Sequence, residues 1–160
     1  MEKNRHVKSP VAVLAIALSM FLGLPSSSFA GSQDIVVEDA WARASIGKNR
    51  PGAVYMTVLN TGTDPVTLLG LETPLAMMLD IHRTTTNVNG VSSMAPAGEI
   101  TIAPGETLSL EPGGLHAMLM QLQTPMVEGE SFSMTLTFDD GGTVSVEVPI
   151  LGRAARGPEG

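Results

Sequence analysis

The 160-residue sequence contains no cysteine, and that absence removes several kinds of protein at once. No disulfide can staple the fold, though a domain of this size buries enough apolar surface to manage without one. No thiolate can hold a metal, which excludes a blue-copper electron carrier, whose site needs a cysteine sulfur. Nor does any cysteine stand at a cleavage site to carry a lipid anchor. Basic residues are scarce as well, 9 Lys and Arg against 16 Asp and Glu. Binding to DNA or RNA needs basic surface, and so does attraction to anionic lipid. A formal net charge of −7 suits neither. Long apolar runs are missing: Val11–Leu24 extends for 14 residues, short of the ~20 that a transmembrane helix needs. No carboxylate pair, nucleophile with a base, or phosphate loop stands out, so an enzyme is not expected.

The short apolar run has the flanks of a secretory signal. Lys3, Arg5 and Lys8 precede it, Pro25 and three serines follow, and Ser28-Phe29-Ala30 ends in a small-x-small cleavage pattern. Cleavage is expected after Ala30. The alternative, an uncleaved anchor, is disfavoured by the length and the flanks. Losing residues 1–30 removes three basic residues and one acidic one, leaving 6 against 15 and a net charge of −9. The expected product is an exported acidic domain over residues 31–151, with no stable membrane insertion, followed by a disordered tail over 152–160 rich in Gly, Ala and Arg.

No stretch of that domain carries a capped 3.6-residue period. Short β-rich segments separated by turn signals recur instead. Strands are expected over 35–43, with Ile35, Val37 and Trp41 on one face, and then over 53–59, 66–71, 76–84, 91–94, 100–102, 107–110, 115–122, 131–138 and 143–150. Asn89-Gly90 marks a hairpin, because Asn-Gly supplies the positive φ of a tight turn. Residues 95–99 are expected to form a turn, because Pro96 and Gly98 interrupt a ladder. Phe132, Met134, Leu136 and Phe138 alternate onto one face, as do Val144, Val146 and Val148. This pattern is that of an all-β sandwich or barrel.

The chemistry is concentrated in Pro112-Gly113-Gly114-Leu115-His116-Ala117-Met118-Leu119-Met120. In a strand, residues i and i+2 share a face, so His116 and Met118 stand side by side after a turn. The other histidine downstream of the signal is His82, and Met94 lies between. The pattern is His82-x11-Met94-x21-His116-x-Met118. Two imidazoles and two thioethers would form a soft, uncharged donor set that favours Cu(I) over hard ions. The opposing reading is plain packing, since methionine is a common core filler. Met134 and Met56 are expected in the core, and so is Met120, which shares the parity of His116 and Met118 but lies deeper in its strand.

The stretch 111–119, with Asp80-Ile81-His82, Met94, Ala40-Trp41-Ala42-Arg43 and the run from Gly129-Glu130 to Leu136-Thr137-Phe138, resembles the periplasmic copper chaperones of the PCuAC type. The resemblance covers residues 35–150. It implies a cupredoxin-like Greek-key β-sandwich, with Cu(I) held by His82, Met94, His116 and Met118. It also implies delivery to a copper-accepting protein, either the copper subunit of cytochrome c oxidase or a Sco-type protein. Two features depart from the family pattern. Arg83 stands where many members have a methionine after the first histidine, and the tail lacks the His and Met of some relatives. The competing expectation is a metal-free periplasmic β-sandwich binding module.

Overall fold

The computed structural model describes residues 32–158. The expected signal segment lies outside the described residues. A 3-10 turn, Ser32–Asp34, leads into ten strands: β1 (Ile35–Arg43), β2 (Gly52–Asn60), β3 (Val66–Glu72), β4 (Ala76–Thr86), β5 (Ser92–Pro96), β6 (Ile100–Ile102), β7 (Thr107–Leu110), β8 (Leu115–Leu122), β9 (Ser131–Phe138) and β10 (Thr143–Leu151). After β10 the chain runs through turns to residue 158, and Arg43 Nε donates to the Ala155 carbonyl at 2.9 Å.

The strands follow one another in the order β5-β4-β8-β7-β2-β1-β10-β9-β3-β6. The link between β1 and β10 is short and parallel, Ala42 opposite Ile150 and Arg43 opposite Leu151. It joins two halves that face each other as a sandwich of the cupredoxin-like kind. One apolar cluster fills the space between, drawing Val54, Met56, Val58, Ile81, Ala117 and Leu119 from one half and Leu68, Met134, Leu136, Phe138 and Val148 from the other. The alternating face of β9 and its neighbour in β10 is therefore core, as the period of two demands.

Three local devices decide which side chains leave that core. The first is a bulge in β1. From Glu38 to Trp41 the strand advances three residues while β2 advances two, Thr57 to Tyr55, and Asp39 takes a φ of 51°. One extra residue exchanges the faces of a strand. Ala42 therefore joins the core cluster and Trp41 does not, which corrects the expectation that Ile35, Val37 and Trp41 share a face. Trp41 instead stacks on Tyr55 across the outer face, ring centroids 4.6 Å apart. The Arg43 guanidinium lies over both rings, 5.6 and 5.3 Å from their centroids.

The second device is the Pro112-Gly113-Gly114 loop. Leu110 pairs with Met56 and Ala117 with Val54 on the same strand β2. The chain thus spends seven steps where β2 spends two. β7 and β8 are two pieces of one edge to β2, with a loop pushed out between them. Gly114 N–H donates to Glu111 O at 3.1 Å and Glu111 N–H to Leu115 O at 2.7 Å, while Gly113 sits at φ 86°. The odd excess moves the core parity from Leu108 and Leu110 to Ala117 and Leu119. His116, Met118 and Met120 are left on the outer face.

The third device is the edge strand β5. It is exposed throughout and ends at Pro96, which stands opposite His82. The expected turn over 95–99 is thus shortened by two residues, because an edge strand tolerates the proline nitrogen that a central strand would not.

Candidate metal centre

β4 and β8 lie side by side, antiparallel, and their outer face carries three successive cross-strand pairs: His82 opposite His116, Asp80 opposite Met118, and Met78 opposite Met120. β5 flanks β4 on one side and puts Met94 opposite Thr84. On the other side β2 puts Ala53 opposite Met118. Small Ala53 and Gly113 of the 112–114 loop leave a hollow of about 350 Å³, lined among others by Met94, His116, Met118, Tyr55, Arg43 and Pro112.

The two histidines are direct neighbours, with ring centroids 6.2 Å apart and planes at 87°. His116 is only 6% exposed although it faces away from the core. Its Nδ1 lies 3.3 Å from the Gly114 carbonyl. That contact is a hydrogen bond only when Nδ1 carries the proton, which leaves the Nε2 lone pair free. Fixing one ring nitrogen on a carbonyl is how proteins orient a metal-ligating imidazole. His82 is half-buried, and its Nδ1 is buried without a hydrogen-bond partner. Such an atom costs free energy unless something outside the protein satisfies it.

The sequence-derived residues therefore gather on one face, in unequal settings. Met94, His116 and Met118 line the hollow, and His82 stands against His116. Met94 is 59% exposed, on the edge strand. Together these side chains offer two imidazoles and two thioethers, with no thiolate and no net charge. Among the described residues no group of three His, Cys, Asp or Glu converges.

Two features of this face escaped the sequence reading. Met120 belongs to it: half-buried, it is absent from the apolar core cluster and pairs with Met78, so its expected place in the core is corrected. The strand keeps its parity through Met120, and the face changes only at Gln121, whose φ is 54°, bringing Leu122 into the core. The other is the Trp41–Tyr55–Arg43 stack bordering the hollow. Burial pushes the Tyr55 phenol pKa up, opposed by the Arg43 charge, so the ring stays neutral beside the guanidinium.

The family model described as "Putative lipoprotein LpqE-like" matches residues 35–150, nearly the whole folded part. This chain belongs to the LpqE-like family. A fellow sequence from Leifsonia xyli subsp. xyli, "Putative lipoprotein Lxx21020", is 34% identical over 157 residues, spanning 94% of this chain and 93% of the relative. Among solved structures, the apo PmoF2 PCuAC domain superposes with a TM-score of 0.64 at 24% identity, over 78% of this chain and 94% of that one. The Cu(I) form of DR1885 from Deinococcus radiodurans superposes with a TM-score of 0.56 at 34% identity, over 75% of this chain and 81% of that one. The LpqE-like fold is thus the PCuAC sandwich. Among its described residues, no helix is long and apolar enough to cross a membrane.

Proposed function

We propose that this protein is a periplasmic Cu(I) metallochaperone that holds the ion with His82, Met94, His116 and Met118 and passes it to a copper-accepting protein. The recipient would be the copper subunit of cytochrome c oxidase or a Sco-type protein. The observation that carries the reading is the facing histidine pair beside a hollow lined by two thioethers. One imidazole is oriented by Gly114 O and the other has a buried, unpartnered nitrogen. The Cu(I) form of the 34% identical relative supports the choice of ion.

The four donors differ in how firmly they are held, and that suits transfer better than storage. His116 is buried and anchored, whereas Met94 is mostly exposed on an edge strand. In this reading a docking partner displaces Met94 first, His82 and Met118 next, and His116 last. Neutral thioethers need no deprotonation. Protons compete only for the imidazole nitrogens, so copper affinity falls as the solution is acidified. Only coordinate bonds to the ion are exchanged, each protein ligand being replaced by one of the partner's, so the protein acts as a carrier and not an enzyme.

A Cu(I) competition titration tests the reading. His116→Ala combined with Met118→Ala is expected to lose high-affinity copper while the sandwich remains folded. Wild-type affinity in the double variant would overturn the site. Failure of the native protein to take up Cu(I) at all would favour the metal-free binding module.

A further inference from the structure

The cross-strand pairs continue past the histidine site. Beyond His82–His116 and Asp80–Met118 comes Met78–Met120, the next rung on the same outer face. Directly opposed residues on one face bring their side chains into contact range, so the two thioethers lie within reach of one another. Met78 is 46% exposed and Met120 half-buried, and neither belongs to the apolar core cluster. The core between the two halves therefore does not account for them. The Met78 sulfur is already used as a polar atom: Gln121 Nε2 donates to its Sδ at 3.3 Å, which engages one sulfur lone pair and leaves the other for an ion. Asp80 sits between this rung and His82 on the same strand, exposed, and adds an anionic oxygen to the face.

We propose that Met78 and Met120, with Asp80 beside them, form a second, weaker station for a soft monovalent cation, one rung from Met118 along the β4–β8 seam. Two adjoining thioethers select a soft ion over the hard cations of the medium, and the carboxylate offsets its charge. An ion bound there shares a face with the histidine site. The station borrows only the class of ion from the proposed function and does not require the histidine site to exist.

The test uses protein labelled with carbon-13 at the methionine methyl groups and titrated with Ag(I), a soft monovalent cation that stays in one redox state. The first equivalent is expected to shift the Met94 and Met118 methyls, and the second those of Met78 and Met120. Met78→Leu with Met120→Leu, which conserves volume, should abolish the second set of shifts and leave the first intact. In His82→Ala with His116→Ala, the Met78 and Met120 shifts should persist, now with the first equivalent. Met78 and Met120 methyls that stay still while Met94 and Met118 move would overturn the station and leave the histidine site standing. Shifts at Met78 and Met120 no larger than at Met77, 69% exposed on the same strand, would mean adventitious thioether binding only and would equally overturn it.

Discussion

The 112–114 loop places His116, and Gly113→Ala probes that dependence. Gly113 sits at φ 86° with nothing within 4 Å of a Cβ built upon it. The substitution therefore meets no clash, and its whole cost is left-handed backbone strain, about 1–2 kcal/mol. For a domain of this size that corresponds to roughly 3–10 °C in the unfolding midpoint. The loop can shed part of the strain by rotating the Gly113–Gly114 unit. Gly114 O, however, receives Thr84 N–H at 3.1 Å and faces His116 Nδ1 at 3.3 Å. Relief of strain thus disturbs the carbonyl that orients the imidazole, and loss of such an outer partner weakens metal binding by about 10- to 100-fold. Gly105→Ala is the control. Gly105 has φ 74° and open space around its Cβ, in the turn before β7, at the opposite end of β2 from Ala53 and Met118. Both variants should lose similar stability by thermal unfolding, and only Gly113→Ala should lose Cu(I) affinity in a competition assay. Equal copper affinity in the two variants, at equal loss of stability, would refute the role given to the loop.

Other outcomes follow from residues other than the four proposed ligands. Asn60 is fully buried, its Nδ2 donating to Asp64 O at 2.8 Å and Ile102 O at 3.0 Å and its Oδ1 accepting from Gly62 N–H at 2.9 Å. Asn60→Ala should lower stability by about 1–3 kcal/mol, read as a lower urea midpoint at unchanged slope, with copper affinity intact; a midpoint within error of wild type would count against it. Gly52→Ala should destabilise more than Gly105→Ala, because a Cβ there runs into the Met126 sulfur inside the core; equal midpoints would show that Met126 has room to yield. The Asp140 carboxylate is held below its ordinary pKa by the backbone N–H of Ser32, then by that of Gly142. Its contribution to stability is present above the ordinary value of 3.8 and is lost as pH falls through the lowered folded value. Asp140→Asn should flatten the acid limb of the stability profile, and a limb as steep as wild type would sink that assignment.

Most strands were legible because turn residues and two-residue alternation punctuate them: β6 through β9 fall where Pro104-Gly105, Gly113-Gly114 and the Phe132–Phe138 alternation put them. Faces were less legible than strands. Trp41 lies two residues beyond Asp39, just past the bulge, and no local signal in Glu38-Asp39-Ala40 announces a change of parity. Met120 followed its parity with His116 and Met118, and depth along the strand was a poor guide, because the face does not change until Gln121. The four proposed ligands could be singled out by type and spacing. Their meeting could not, since it rests on β4 pairing with β8 across His82 and His116, a contact between segments far apart in the chain. The β4–β5 hairpin that brings Met94 near Thr84 was visible in Asn89-Gly90, where Gly90 takes φ 78° and donates to Asn87 O at 2.9 Å.

The central claim is that His82, Met94, His116 and Met118 hold one copper ion together. X-ray absorption at the copper edge, on protein carrying a single equivalent of Cu(I), reads the donors directly. The account predicts a shell of nitrogen and sulfur in equal number, with sulfur lost stepwise in Met94→Leu and Met118→Leu and nitrogen lost in His82→Ala and His116→Ala. A shell of nitrogen and oxygen alone, or one unchanged by those four substitutions, would contradict it.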